Sequence, residues 1–159
     1  GTAFDYLEYL GTSDMTPEEL KSEFYRLACT FYVSPGNERT YVVLSGLNEN
    51  MPAAVQLFEK LLADAQVNKE AYANMAGDIL KARADAKLNQ GQNFSRLMNY
   101  AMYGPKSPAT NLLTEAELAS MNPQELVDRI HNQNNYKHRI LYYGPSSSKD
   151  LLATIEQYH

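Results

Sequence analysis

The 159 residues carry 14 Lys and Arg against 19 Asp and Glu, a formal net charge of −5, and are 44% hydrophobic. That length and apolar content suit one globular domain able to bury a core, and exclude a disordered chain. The basic residues are scattered and no run nears the roughly 20 apolar residues of a membrane span, so neither nucleic acid nor a membrane span is expected.

The chain begins with AFDYLEYLGT, which reads as the end of a helix stopped at Gly11. Gly1 reads as a residue left by cleavage, with the native N-terminus elsewhere. TPEELKSEFYRLA follows, with Thr16 at the N-cap, Pro17 in the first turn and Glu19 closing a capping box. Leu20, Phe24 and Leu27 give that helix one apolar face. Two β-rich runs, Cys29–Ser34 and Thr40–Leu47, flank the turn residues Pro35, Gly36 and Asn37 and predict a hairpin. Val42 and Leu44 point one way, Tyr41 and Val43 the other, which suggests an interior strand with one face on helices. The lone Cys29 excludes an internal disulfide and reads as a buried bystander.

Helical signals then dominate. In NENMPAAVQLFEKLLADA, the residues Ala54, Leu57, Phe58, Leu61, Leu62 and Ala65 share one face. A longer helix runs from about Lys69 to Asn89, with Tyr72, Met75, Ile79, Ala82 and Ala86 inward, until Gly91 breaks it. NFSRLMNYAMYG gives another, with Phe94, Leu97, Met98 and Ala101 inward. PKSPATN is a loop. Thr114 with Glu117, and Asn122 with Glu125, form two more capping boxes. HRILYYG predicts a third strand, and SSSKDLLATIEQYH a last amphipathic helix or a linker.

Strands and helices are grouped, so the class is α+β: an antiparallel-type sheet packed against a group of helices, in a single domain spanning 1–159. Three strands make a thin sheet for so many helices. At least one apolar edge is left bare, to be covered by further residues of the polypeptide or by a second copy of the chain. A homodimer through that edge is therefore expected.

Chemistry is hard to find in the residues. His131, His138 and His159 show no helical metal spacing with a carboxylate and read as exposed or capping histidines. Asp78, Arg83 and Asp85 read as a solvated helix face. No Gly-rich phosphate loop and no G-x-S-x-G elbow is present. The 12 tyrosines read first as packing residues with hydroxyls at the rim, ahead of a peptide-binding role. Catalytic, cofactor-binding and metal-ligating residues are accordingly assigned as none in this chain.

The order of elements from Tyr6 to Leu62 carries a resemblance. A Gly-Thr precedes a capped helix; then come a small-residue turn, a hairpin with RTYVVLSGL and an amphipathic helix opening at Met-Pro. With the later ILYYGP, this resembles the M16 (pitrilysin/insulinase-like) zinc metallopeptidases over nearly the whole chain. The resemblance implies a His-x-x-Glu-His zinc motif on the helix before the Gly-Thr, and a further Glu on the long downstream helix. At the motif positions stand Thr2, Asp5 and Tyr6, and downstream stand Ala76, Gly77 and Asp78. It also implies an Arg and a Tyr that touch substrate, but RLACTFY holds Arg26 and Tyr32 with Ala28 where glycine would help, so no role is carried over.

The resemblance therefore implies a partial, inactive domain that lacks its first strands, excised from a multi-domain bacterial protein. The chain alone is no enzyme, while the parent is a zinc metallopeptidase with zinc in another domain. Its expected partners are other domains of the same polypeptide and the peptide substrate it helps enclose. The alternative is a structural or assembly module of the same fold. The compartment is left open by the residues, and the resemblance points to an extracytoplasmic one.

Overall fold

A computed structural model describes residues 2–35, 39–107 and 112–159. Gly36 and Asn37 of the expected turn, and 108–111 of the expected loop, lie outside the described residues. The described chain forms two compact units, 1–68 with 123–159, and 69–122.

The first unit holds helices α1 (Thr2–Leu7), α2 (Pro17–Arg26) and α3 (Met51–Asp64), strands β1 (Cys29–Pro35) and β2 (Thr40–Gly46), and a 3-10 turn at Asn48–Asn50. Its second segment adds α7 (Pro123–His131), a 3-10 turn at Gln133–Asn135 and α8 (Ser148–Tyr158). The labels α4 (Lys69–Leu88), α5 (Gln90–Tyr103) and α6 (Glu115–Ser120) belong to the second unit, with a 3-10 turn at Gly104–Lys106.

In the first unit the apolar stripes of α2, α3 and α7 converge. Leu20, Phe24, Ala54, Leu57, Leu61, Leu62, Leu126, Val127 and Ile130 are all buried, with Leu7 and Leu10 of the N-terminal segment. Each such leucine contributes on the order of 1.5–3 kcal/mol of transfer free energy. The capping box at Thr16 forms as the sequence dictates: the Thr16 Oγ1 accepts from the Glu19 amide, and the Glu19 carboxylate accepts from the Thr16 amide.

The hairpin is antiparallel, with Cys29 opposite Gly46 and Phe31 opposite Leu44. Phe31 bridges to Phe24 of α2 and Phe58 of α3, with ring centroids 5.1 and 5.4 Å apart and tilted planes. Such tilted pairs avoid facing two negative π-surfaces. The opposite face carries Tyr32 and Tyr41, each about half exposed. A side chain at Gly46 would collide with Cys29 and with the Ala28 carbonyl, so the close approach there requires glycine. Ala28 itself adopts a φ of 50°, the left-handed region in which a Cβ is strained.

Two expectations about the sheet are corrected. The run at 138–144 is not a strand: 137–143 has no ladder partner among the described residues, and the sheet is β1 paired with β2 alone. Apolar, β-branched residues make a strand only where a neighbouring backbone accepts the pairing. For the same reason β2 is not interior, because β1 is its single strand neighbour among the described residues. The outer edge of β1 is capped by a charge, since the Val33 amide donates to Glu8 Oε1 at 2.9 Å. An acidic side chain there blocks strand addition on that edge.

In the second unit, Tyr72 and Met75 of α4 and Leu118 of α6 are buried, and the Tyr72 hydroxyl donates to the Leu118 carbonyl at 2.6 Å. The Thr114–Glu117 capping box starts α6. The long helix breaks at Asn89 rather than Gly91: the Asn89 side chain accepts from the Gln92 amide at 3.0 Å and caps α5, leaving Gly91 inside it. The expected inner stripes hold only in part. Ala82 is exposed, and so are Phe94, Leu97, Met98 and Ala101, because helical periodicity fixes which residues share a face but not whether anything covers it.

Candidate functional site

Thr2, Asp5 and Tyr6 lie on α1, spaced i, i+3 and i+4, so they share one helical face. Their chemistry differs from a zinc centre. Tyr6 is fully buried, and its hydroxyl is committed to the Asn68 backbone: it donates to the Asn68 carbonyl at 2.5 Å and accepts from the Asn68 amide at 2.9 Å. A phenol used as donor and acceptor in this way is a structural bolt, not a metal ligand. Thr2 offers only a hydroxyl. Asp5 is half-buried, and burial first, then the neighbouring Glu8 carboxylate, raises its pKa above the usual aspartate value. A single carboxylate with a spent phenol does not fit a zinc-hydroxide site, which needs neutral imidazoles or several anionic ligands. Among the described residues no three His, Cys, Asp or Glu side chains are grouped to hold a metal ion.

The Asp5 shift has a sign that can be tested. A carboxyl whose folded pKa is raised holds its proton more tightly in the folded state, so it costs stability once ionised. Asp5→Asn is therefore expected to stabilise the chain at about pH 7 by under ~1 kcal/mol, solvent screening included. The gain should vanish near pH 3, where both states are protonated. Thermal melts of the two proteins at both pH values check this.

Ala76, Gly77 and Asp78 lie mid-way along α4. Asp78 is exposed, and a Cβ placed on Gly77 would meet open space. Arg26 is engaged by Glu23 at 2.8 Å on the surface of α2, and Tyr32 is half-exposed on the hairpin. The expected helical solvation of Asp85 holds, since it too is exposed.

The histidines divide. His131, in the last turn of α7, places Nε2 3.0 Å from the Ala65 carbonyl at the end of α3, the capping role expected of it. His138 and His159 do something the sequence did not announce. His159 Nδ1 lies 2.5 Å from Glu59 Oε1 on α3, and its Nε2 lies 2.8 Å from His138 Nε2. His138 Nδ1 in turn meets the Tyr136 carbonyl at 2.7 Å, and the second Glu59 oxygen accepts from Asn134 Nδ2 at 2.9 Å. Glu59 and His159 are 100 positions apart, so no local spacing could have signalled the pairing. Cys29 is buried, as expected, and its thiol points to the Leu27 carbonyl at 3.3 Å.

No protein-family model matches the sequence, and no curated protein matches it. Solved structures do. The chain is similar to the periplasmic protease PqqL from Escherichia coli, with a TM-score of 0.69 and 16% identity over 99% of this chain and 17% of that one. It is similar to a mutant of the ferredoxin protease FusC, solved in complex with Arabidopsis ferredoxin, with a TM-score of 0.70 and 14% identity over 98% of this chain and 17% of that one. It is also similar to a protease from Helicobacter pylori, with a TM-score of 0.66 and 11% identity over 99% of this chain and 39% of that one. The chain thus spans about a sixth of the first two proteins, and its α+β fold is similar to that of the part of each that it covers.

Proposed function

We propose that this chain is a metal-free domain of a multi-domain bacterial zinc metallopeptidase of the pitrilysin/insulinase type, and that it helps enclose and position a peptide while another domain holds the zinc and hydrolyses it. The observation that supports this reading is a fold similar to that of solved proteases together with a buried Tyr6 locked onto Asn68, at the position to which the family resemblance assigns a zinc-ligating histidine. The periplasmic home of one structural neighbour favours an extracytoplasmic location. A zinc site in this fold would need both His of the motif on one helical face, with the Glu beside the bound water as general base. Here the aligned face supplies a hydroxyl, an acid one carbon shorter, and a phenol.

The reading has a direct test. Isothermal calorimetry with zinc is expected to show no stoichiometric tight binding. Submicromolar binding with one zinc per chain, lost in Asp5→Asn, would overturn it. A His-x-x-Glu-His motif elsewhere in the full-length polypeptide is the corresponding positive expectation, and its absence would favour an assembly module of the same fold. Among the described residues β2 has no second strand neighbour, so pairing with a second copy of the chain is expected there, and a strict monomer in light scattering at high concentration would exclude that pairing.

A further inference from the structure

The run Glu59–His159–His138–Tyr136 is continuous, and its two ends determine its protons. The Glu59 carboxylate and the Tyr136 carbonyl can only accept, so His159 Nδ1 and His138 Nδ1 must both donate. That leaves the two Nε2 atoms facing each other at 2.8 Å, with the rings nearly perpendicular. If both imidazoles are neutral, two lone pairs meet there. If both are charged, two N–H groups meet. Only with one proton between the two Nε2 atoms does the contact become a hydrogen bond.

We propose that Glu59, His159 and His138 form a one-proton clasp that fastens the end of α8 and the 133–138 segment onto α3, closed while the histidine pair carries a single positive charge and opened both by losing that proton and by gaining a second. Glu59 sets the resting charge. Its side chain and that of His159 are only 16% and 19% exposed, so their attraction is little screened. The Asn134 amide holds the other carboxylate oxygen and fixes the Glu59 rotamer.

The other charged groups on the elements that meet here are already engaged or exposed. Lys60, next to Glu59 on α3, is paired with Asp14. Lys137 and Arg139, which flank His138 in the chain, are exposed, as is Glu156 on α8. On α7, which also packs on α3, His131 is engaged by Ala65, Asp128 accepts from Gln124, and Arg129 is exposed.

The test is imidazole 15N NMR on the whole chain, with amide hydrogen exchange read on α8. The His138 and His159 nitrogens are expected to move together in two coupled steps. The α8 protection factors are expected to pass through a maximum between about pH 5 and 8, falling about 3- to 10-fold on either side. In His138→Gln the shared proton has no second ring, and the loss on the acidic side of the maximum should disappear. In Glu59→Gln the maximum should fall and move to lower pH. Independent single-step titrations of the two rings, or α8 protection that is flat with pH in the unaltered protein, would overturn the clasp whatever the variants do.

Discussion

Replacing Tyr6 with phenylalanine is expected to destabilise the chain by about 1–3 kcal/mol, and replacing it with alanine by about 3–5 kcal/mol. The first figure isolates the hydroxyl. Tyr6 is fully buried, and its phenol serves both the carbonyl and the amide of Asn68, 62 residues away in sequence. Phenylalanine keeps the ring and the packing but takes away both hydrogen bonds from a part-buried peptide group, which then bears the desolvation cost. Alanine adds a cavity in a core that collapses only partly. Urea unfolding followed by far-UV circular dichroism separates the two effects. A Tyr6→Phe protein as stable as the parent would show that the Asn68 contact carries no weight. Tyr6→His speaks to function: it places one imidazole on α1 but forfeits the bolt to Asn68, so it should lose stability and gain no tight zinc site, because Thr2 offers no second imidazole.

Gly11→Ala is expected to cost about 1–3 kcal/mol, with more if the backbone cannot shift. A methyl group on Gly11 would press on the Met15 carbonyl oxygen and on the backbone of Thr16 and Pro17, all of it main chain with no rotamer to relieve the clash. That segment is tied on several sides. Thr12 donates its amide to Met15, the Gln66 amide donates to the Gly11 carbonyl at 3.0 Å, and Ser13 donates both its amide and its hydroxyl to Asp64 at the end of α3. Lys60 adds an ion pair to Asp14. The substitution should therefore lower the melting temperature and raise hydrogen exchange in the 11–16 loop and at the end of α3 together. An unchanged melting temperature would mean the loop is free to move away from α3.

The ties to Asp64 and Asp14 also give the acid side of the stability curve a direction. Hydrogen bonds from Ser13 lower the Asp64 pKa, and the hydrogen bond from Lys60 lowers that of Asp14. Carboxyls with lowered folded pKa values stabilise above their unfolded pKa and lose that contribution as pH falls. Asp5 acts in the opposite sense. Both Asp64 and Asp14 are at the surface, so their part in acid unfolding is small.

Local chemistry was legible from the chain alone. The capping boxes at Thr16 and Thr114, the hairpin between Cys29 and Gly46, and the buried stripe of α3 all depend on residues within a few positions of one another, and each formed as the sequence dictates. That Thr2, Asp5 and Tyr6 supply no imidazole to α1 is likewise a matter of residue identity, since no folding turns a phenol into an imidazole. What tertiary structure decided is whatever needs a distant partner. The 138–144 run has the composition of a strand but pairs with no strand among the described residues, and the apolar face of α5 is periodic but exposed. The Tyr6–Asn68 bolt and the Glu59–His159–His138 chain join positions far apart in sequence, where the spacing of residues carries no information and only the packing of α3, α7 and α8 brings the groups within hydrogen-bonding distance.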